Sequence, residues 1–353
     1  MMRKDGEVLT KIQRMSFKES LGEVLLAGEC MGCAACLVVC PVGCLQYVNG
    51  KPEEVGECSG CGICARVCPR YRLSWSALEN MAFDRERTPD EEFGVHRRVV
   101  AARSTDEGVL SVCQDGGLVT TLLNYALREG MIDGAALSGT DDDRSFYPVP
   151  VLAKNPEEVL GCAGTRYSYS PSLMALKEGV EQKRESLAFV GTPCQIQALR
   201  RIQMVPLKKY SERLNFTVGL MCTESFSYQG LFDQHIRGEL EIDPRDIIKM
   251  NIKGKILVTT QSGEVQSIPL KEAKQYTRKS CLPCADFSAE LADISAGGLG
   301  LSGWTLTIIR SEKGEEIFNR AKEAEMLETK SGEEVERAVD LLVRLSKKKR
   351  KRG

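Results

Sequence analysis

The sequence predicts an α+β protein in which a small cysteine-rich domain is followed by a larger α/β domain with a mixed sheet. A cysteine motif that occurs twice within residues 30–69 marks the first domain. Beyond residue 97, short apolar segments alternate with helical ones, which is typical of an α/β sheet. Two alternating segments, residues 256–260 and 264–268, flank a Ser-Gly turn and predict a hairpin, so the sheet is mixed or a small second lobe exists.

Length and composition set the class of protein. A chain of 353 residues is long enough for about two domains. With 42% apolar and 27% charged residues, it is neither disordered nor a coiled coil as a whole. The formal net charge is −1, and the six basic residues at 347–352 leave −7 on the rest of the chain. This charge argues against a nucleic-acid partner.

The cellular compartment in which we expect the protein limits the roles that its cysteines can have. The sequence has no run of about 18 apolar residues of the kind that spans a membrane. Its first residues lack the apolar core of a signal peptide, so we expect a cytoplasmic protein. In a reducing compartment, the fifteen cysteines are expected to be metal ligands, reactive thiols or packing residues instead of disulfides.

The repeated motif, C-x2-C-x2-C-x3-C-P, begins at Cys30 and again at Cys58. With this spacing, three cysteines of one copy hold one 4Fe–4S cluster and the fourth reaches the other cluster. The ligands predicted for the first cluster are Cys30, Cys33, Cys36 and Cys68. Those predicted for the second cluster are Cys58, Cys61, Cys64 and Cys40. A structural zinc site would not need three close cysteines and a distant fourth. The additional thiol of Cys44 is predicted to be a packing residue.

The chain divides into four parts. Residues 1–75 form the cysteine-rich domain, and its segment 25–72 resembles the two-cluster bacterial ferredoxins. A charged stretch without apolar periodicity predicts a surface linker at 76–95. The α/β domain is expected at 96–330, and residues 331–353 are expected to form an amphipathic helix and a basic tail.

The elements of the second domain follow from its apolar segments. Strands are predicted at 99–102, 134–137, 187–190 and 216–221, and helices at 118–127 and 195–202. Gly116 and Gly117 stand before the first of these helices, where free backbone amides favour a phosphate such as the pyrophosphate of a dinucleotide. A plain glycine turn is the alternative, because the sequence there lacks G-x-G-x-x-G.

Four further cysteines lie near strand ends or in a C-x2-C pair: Cys194, Cys222, Cys281 and Cys284. They are candidates for a third metal site. A thioredoxin-like dithiol at the C-x2-C pair and a structural zinc site are the alternatives. The remaining thiols, assigned to packing or to the surroundings of the site, are Cys113 and Cys162.

Five short motifs occur in a fixed order, at residues 114–117, 191–195, 219–222, 281–287 and 292–298. On these motifs, residues 97 to about 310 resemble the family of coenzyme F420-reducing hydrogenase β-subunits. That family includes formate dehydrogenase β-subunits and the input subunit of the F420H2 dehydrogenase. The cysteine-rich domain in front makes the chain more similar to the dehydrogenase input subunit than to the shorter hydrogenase subunit.

The resemblance implies a two-cluster ferredoxin-like domain followed by a flavin-binding α/β domain. It implies FAD, a third 4Fe–4S cluster and a docking site for coenzyme F420. The ligands carried over for the third cluster are Cys194, Cys222, Cys281 and Cys284. The residues carried over to line FAD are Ser111, Gln114, Gly116, Gly117, Thr120, Arg166, Tyr167 and Ser168. The strand-to-helix loop also counted as cofactor-binding comprises Gly191, Thr192 and Pro193.

Three acidic residues, Asp115, Glu224 and Asp293, are candidates for hydrogen bonding to flavin or coenzyme, with helix capping as the alternative. The implied reaction is hydride exchange between reduced F420 and FAD, followed by single-electron transfer through the clusters to other subunits of a redox complex. No general base is needed. The rival from another class is an iron–sulfur relay without flavin.

The basic tail is expected to be solvated and disordered by default. The sharper hypothesis is that it docks to an acidic partner or to the anionic inner face of a membrane.

Overall fold

The computed structural model describes residues 14–205 and 207–352. Its N-terminal domain contains α1 (Phe17–Leu26), α2 (Ala35–Val39), β1 (Leu45–Val48), β2 (Lys51–Glu54) and α3 (Ile63–Val67). The duplicated motif folds twice in the same way: α2 and α3 each follow a residue with left-handed backbone, Ala34 (φ 64°) and Gly62 (φ 70°). The two copies thus form matching halves that pack together.

A helix lies where the sequence predicted an irregular linker, at α4 (Trp75–Phe83). Ser74 caps its start, and Leu78 and Glu79 on one side are buried. The expectation of a surface connection at 76–95 is therefore wrong for this stretch. Leu78 packs into the core shared with the large domain, and the buried Glu79 binds the Arg87 side chain, so apolar packing and a charge pair together hold the segment in place.

The large domain is built on an eight-stranded sheet. Its first part contains β3 (Arg98–Ser104), α5 (Glu107–Val112), α6 (Leu118–Arg128), β4 (Gly134–Thr140), β5 (Pro148–Ala153), α7 (Pro156–Gly161), α8 (Leu173–Glu181), β6 (Leu187–Gly191), α9 (Pro193–Met204), α10 (Lys208–Ser211) and β7 (Leu214–Leu220). Its second part contains β11 (Ile294–Gly297), β12 (Thr305–Ile309), α12 (Glu312–Glu323), β13 (Leu327–Lys330) and α13 (Glu333–Arg350). The four strands and two helices predicted in this domain are all confirmed.

A separate lobe is inserted between β7 and β11. It contains a π-helical segment (Gln229–Glu239), β8 (Ile247–Ile252), β9 (Lys255–Thr260), β10 (Val265–Pro269) and α11 (Leu270–Ala273). Short 3₁₀ turns lie at Pro244–Asp246, Lys274–Tyr276 and Lys279–Cys281. The predicted hairpin is confirmed as the antiparallel pair β9–β10, and β8 adds a third strand.

The large sheet has the strand order β13-β3-β12-β11-β7-β6-β4-β5. Strands β4, β6, β7 and β11 run parallel, and the remaining pairs are antiparallel. The predicted mixed sheet is therefore confirmed. Successive residues face opposite sides: Phe189 packs with α8 and α9, whereas Ala188 and Val190 pack with α6 and α12.

The N-terminal domain packs on the α8–α9 side, and its Val38 and Val67 join the core of the large domain. Arg201 on α9 donates hydrogen bonds to the carbonyl oxygens of Ala65, Arg66, Tyr71 and Arg72. The Tyr210 hydroxyl donates to the Val38 carbonyl at 2.6 Å. These buried polar contacts fix the position of the cysteine motifs against the large sheet.

The C-terminal segment is helical through the basic run, because α13 continues to Arg350. The expectation of a disordered tail is therefore wrong for residues 347–350, whereas Lys347 and Lys348 are exposed as expected. Leu342 of this helix is fully buried against Phe93 and Phe287 of the large domain. Four basic side chains of this run, those of Lys347, Lys349, Arg350 and Arg352, contact other parts of the chain, and docking of the tail to a membrane or partner stays a prediction.

Candidate functional site

Two cavities lie within the N-terminal domain. The first is lined by Cys30, Cys33, Cys36 and Cys68. The second is lined by Cys40, Cys58, Cys61 and Cys64. Each cavity thus takes three cysteines from one copy of the motif and the fourth from the other copy, which is the crossed arrangement that the spacing predicted.

The thiols of each set line the wall of a cavity and do not converge on a single metal-ion position. Among residues 14–205 and 207–352, no three His, Cys, Asp or Glu side chains are close enough together to hold a single metal ion. Burial raises the pKa of Cys33 and Cys36 well above the usual thiol value, and it raises the pKa of Cys68 to about 11. Four cysteines around one cavity fit an iron–sulfur cube, and these thiols would lose their protons on binding it.

Cys44 is an additional thiol at the second cavity. Its sulfur lies 3.6 Å from that of Cys40, and it also lines the cavity wall. Burial and the neighbouring Cys40 raise the pKa of Cys44 to about 12. The structure keeps Cys44 buried in the packing of this domain, as the sequence predicted.

The third set of cysteines converges at one edge of the large sheet. Cys194 follows β6 and Cys222 follows β7, and the carboxyl ends of these neighbouring parallel strands meet at that edge. Burial raises the pKa of Cys222 to about 12, and the charged groups that act on this thiol include Cys281, Cys194 and Cys284. Sequence reasoning grouped these four residues, and the fold places them together.

The loop before α9 holds the Cys194 thiol. Gly191 ends β6, and Pro193 begins the helix. The Thr192 hydroxyl lies 3.3 Å from the Cys194 sulfur, and the Thr192 amide donates to the Gln195 side chain at 2.8 Å. This loop therefore serves the third cysteine set, and its helix start is capped by the chain itself.

Two side chains connect the first and third cysteine sets, and sequence reasoning missed both. The Tyr169 hydroxyl lies 3.5 Å from the Cys194 sulfur, and Tyr169 also lies within the electrostatic reach of Cys33. The Arg278 guanidinium lies 4.4 Å from the centre of the Tyr169 ring and donates to the Met31 carbonyl at 2.9 Å. No local motif marks either residue, because each acquires its neighbours only through the packing of the two domains.

A second group of predicted residues lies between the large sheet and the inserted lobe. The Gln114 side-chain amide donates to the Met250 carbonyl at 2.9 Å and also to the Asn251 side chain. The Tyr167 hydroxyl donates to the same Met250 carbonyl at 3.3 Å. Two segments that sequence reasoning assigned to FAD are therefore joined through strand β8.

Asp115 lies in this group beside two basic residues that the sequence reasoning did not identify. Burial raises the pKa of Asp115, and the positive charges of Lys249 and Lys253 oppose this rise. A Cβ at Gly298 would lie 2.5 Å from an Asp115 carboxylate oxygen, so the glycine is required for this close approach. The group thus combines one carboxylate with two exposed ammonium groups.

Packing already explains the two glycines before α6. A Cβ at Gly116 would lie 2.5 Å from the Ala102 carbonyl, and Gly117 has φ +73°, which glycine adopts most readily. Gly117 caps α6 without any side-chain hydrogen bond, so the first amides of the helix remain open to a ligand. The structure thus has the features of both alternatives, a glycine turn explained by packing and a helix start whose amides are open to a ligand.

Arg166 is half-buried, and its hydrogen-bond partners among the described residues are neutral. Its guanidinium donates to the Thr140 hydroxyl at 3.0 Å and to the carbonyls of Cys162, Ala163 and Gly164. Burial lowers its pKa, and none of these hydrogen-bond partners is a carboxylate. A cation without an anionic partner fits a phosphate-bearing ligand.

The remaining FAD candidates differ in accessibility. Thr120 is buried on α6, whereas Ser111 is exposed on α5 and donates to the Gly108 carbonyl at 2.8 Å. Ser168 is buried, and its hydroxyl has no hydrogen-bond partner within the described residues. A buried hydroxyl of this kind fits a ligand contact, because an unpartnered polar group costs stability.

Two of the acidic candidates interact with protein groups. The Asp293 carboxylate accepts from the Thr217 amide at 2.8 Å, from the Thr217 hydroxyl at 2.7 Å and from the Ser311 hydroxyl at 2.6 Å, and it pairs with Arg200 at 3.2 Å. Asp293 thus belongs to a buried network of protein groups, and its contact with a cofactor stays a prediction. The other candidate, Glu224, faces Arg352 at 3.7 Å.

The comparisons with known proteins agree with this geometry. Residues 99–177 match the family model described as coenzyme F420 hydrogenase/dehydrogenase, beta subunit N-term, and residues 184–335 match its C terminus. The coenzyme F420 hydrogenase subunit beta of Methanococcus voltae is 38% identical over 74% of this chain and 94% of its own length. The chain belongs to the family of coenzyme F420 hydrogenase/dehydrogenase β-subunits.

Other members of this family extend the match. An F(420)H(2) dehydrogenase subunit of Methanosarcina mazei is 32% identical over 87% of this chain and 87% of its own length. A chain in the F420-reducing [NiFe] hydrogenase complex of Methanosarcina barkeri superposes with a TM-score of 0.72 at 38% identity, over 75% of this chain and 92% of that one. The resemblance read from the sequence is confirmed.

The family models end at residue 335, near the start of helix α13. Residues beyond 335, which include most of α13, lie outside the matched range, as does the N-terminal domain. Among the described residues, no helix is long and apolar enough to cross a bilayer.

Proposed function

We propose that this chain is the coenzyme F420-oxidising subunit of a redox complex, which exchanges hydride between reduced F420 and FAD and passes single electrons through three 4Fe–4S clusters to a partner protein. FAD supplies the conversion from two-electron hydride chemistry to one-electron transfer, and the clusters supply the one-electron path. The observation that carries this proposal is the meeting of two cysteine sets at Tyr169, whose hydroxyl lies 3.5 Å from Cys194 and whose electrostatic neighbours include Cys33.

The FAD assignment is supported by the group between the large sheet and the inserted lobe. Arg166 provides a cation without an acidic partner for a phosphate, and Ser168 provides a buried hydroxyl without a partner among the described residues. The helix start at Gly117 leaves backbone amides open. Asp115 and the ammonium groups of Lys249 and Lys253 provide charged side chains beside this group. Charged groups of this kind suit the binding of a charged coenzyme.

The electron exit is assigned to the second cysteine cavity. Three of the four thiols at this cavity are half-buried, those of Cys40, Cys58 and Cys61, against two of the four at the first cavity. Val42 and Val55 beside the cavity are 53% and 60% exposed. Exposed apolar side chains next to a half-buried redox site suit the docking of another protein chain.

The proposal is tested on protein purified without oxygen, by measuring flavin, iron and the oxidation of reduced F420 with a viologen acceptor. We expect bound FAD, three clusters and F420 oxidation in the native chain. C222S is expected to lose one cluster and the viologen reaction, whereas C162S, a thiol outside all three sets, is expected to retain both.

Two outcomes would refute the proposal. Protein that contains clusters but takes up no flavin after FAD is supplied would be an iron–sulfur relay. Protein that is fully loaded with FAD but inactive with reduced F420 would act on another substrate.

A further inference from the structure

A lysine occupies a position on the apolar face of the last helix. The residues that α13 buries follow a helical repeat and are Val335, Ala338, Leu342, Ser346 and Lys349. Lys349 is only 3% exposed. An apolar side chain would continue this stripe without burying a charge, whereas a buried ammonium requires compensating partners.

The Lys349 ammonium lies beside the third cysteine set, and the buried carboxylate of Asp286 also acts on its charge. Its ammonium donates a hydrogen bond to the Cys222 carbonyl. Burial raises the pKa of Cys222 and of Cys284, and the charge of Lys349 is the largest effect that opposes this rise at both thiols. Cys194 and Cys281 also lie within its electrostatic reach. One buried cation therefore faces all four predicted ligands.

The neighbouring basic residues hold Lys349 in this position. Arg350 donates to both carboxylate oxygens of Glu290, at 2.9 and 3.0 Å, and the Glu290 side chain is 2% exposed. Lys347 pairs with Glu92 at 2.7 Å. The end of the chain is thus tied to two separate segments of the large domain.

Charge near an iron–sulfur cluster changes its reduction potential. Reduction adds one negative charge to a cluster that its thiolate ligands already make negative. A fixed positive charge beside those ligands stabilises the reduced form more than the oxidised form, and the effect is strong where water is excluded. The family models end at residue 335, so the matched regions do not include Lys349.

We propose that Lys349 is an electrostatic element that raises the reduction potential of the third cluster, held in place by the ion pairs of the C-terminal helix. This inference rests on the third cluster of the proposed function. Its consequence is that the cluster accepts electrons more readily than it would without the helix.

The test is a redox titration of the complete protein at one pH, with the reduced clusters followed by electron paramagnetic resonance. The signal of the third cluster is the one that C281S lacks. K349M removes the charge and the hydrogen bond, K349Q removes the charge but keeps a donor, and K349R keeps the charge. K348M is the matched control, because Lys348 is exposed on the same helix.

We expect K349M and K349Q to shift the equilibrium toward the oxidised third cluster by at least about tenfold, which is about 59 mV for one electron. K349R and K348M are expected to titrate like the native chain. The other cluster signals are expected to move less, because the Lys349 ammonium binds the Cys222 carbonyl and the thiols on which its charge acts belong to the third set.

Three results would overturn the inference. An unchanged potential in K349Q, in protein that retains the third cluster, would show that the charge is not felt there. A shift in K349M that K349Q does not share would assign the role to the hydrogen bond alone. If K349M does not retain the third cluster, the potential of that cluster in K349Q is the deciding measurement. Absence of the third signal from the native chain would refute the proposed function as well, so the two failures are distinguishable.

Discussion

Replacing Asp293 with asparagine tests whether this residue holds the sheet together or binds a cofactor. The side chain is 5% exposed, and Arg200, which pairs with it, is 6% exposed. D293N removes the charge while it preserves the shape, and it leaves the Arg200 guanidinium buried without its anion. Breaking a buried pair in this way costs about 3–5 kcal/mol.

The expected loss is about 3 kcal/mol, because the Thr217 hydroxyl and the Leu291 carbonyl still accept from Arg200. The measurement is the midpoint of thermal unfolding by circular dichroism, where we expect a decrease of about 5 °C or more. E312Q is the control, because Glu312 is 90% exposed and its pair with Arg97 spans 3.8 Å. The control is expected to unfold like the native chain.

The contribution of Asp293 to the stability of the fold depends on pH in a defined direction. Burial would raise the pKa of Asp293, but Arg200 and the hydrogen bonds from Ser311 and Thr217 outweigh it, so the pKa lies below its usual 3.8. The stabilisation is therefore complete above pH 3.8 and is lost as the pH falls through the folded pKa. The native and D293N midpoints should converge in acid. A D293N protein with an unchanged midpoint but no flavin would refute this reasoning and restore the cofactor role.

Three further predictions concern backbone strain, domain contact and the tail. G117A places a Cβ 2.8 Å from Val109 in a backbone with φ +73°, and it should lower the midpoint of thermal unfolding more than G130A, where φ is +63° and no atom lies within 4 Å. A midpoint for G117A equal to that of G130A would contradict the predicted clash. R201Q removes hydrogen bonds to four carbonyls of the N-terminal domain and should speed limited proteolysis between the domains; an unchanged cleavage rate would argue against this contact. Deleting residues 347–352 should lower the thermal midpoint and leave binding to anionic vesicles unchanged, whereas lost vesicle binding with an unchanged midpoint would favour membrane docking.

The sequence predicted the strands and helices of the large domain because their apolar periods are local. It missed the helix at Trp75–Phe83, in which the buried, charged Glu79, paired with Arg87, lies next to the buried Leu78. It also treated the basic tail as solvated, since a run of like charges is ordinarily exposed. The carboxylates that neutralise this run, such as Glu290, are far away in the sequence and could not be paired with it.

The sequence by itself determined the cysteine motifs, the family and the strands and helices of the α/β domain, because these depend on short spacings and on local patterns of apolar residues. Only the tertiary structure decided which groups surround the third cysteine set. Lys349 reaches the Cys222 carbonyl across 127 residues of sequence, and Arg278 reaches the Met31 carbonyl across 247. Contacts of this kind are set by how the sheet, the inserted lobe and the last helix pack, and no local pattern encodes that packing.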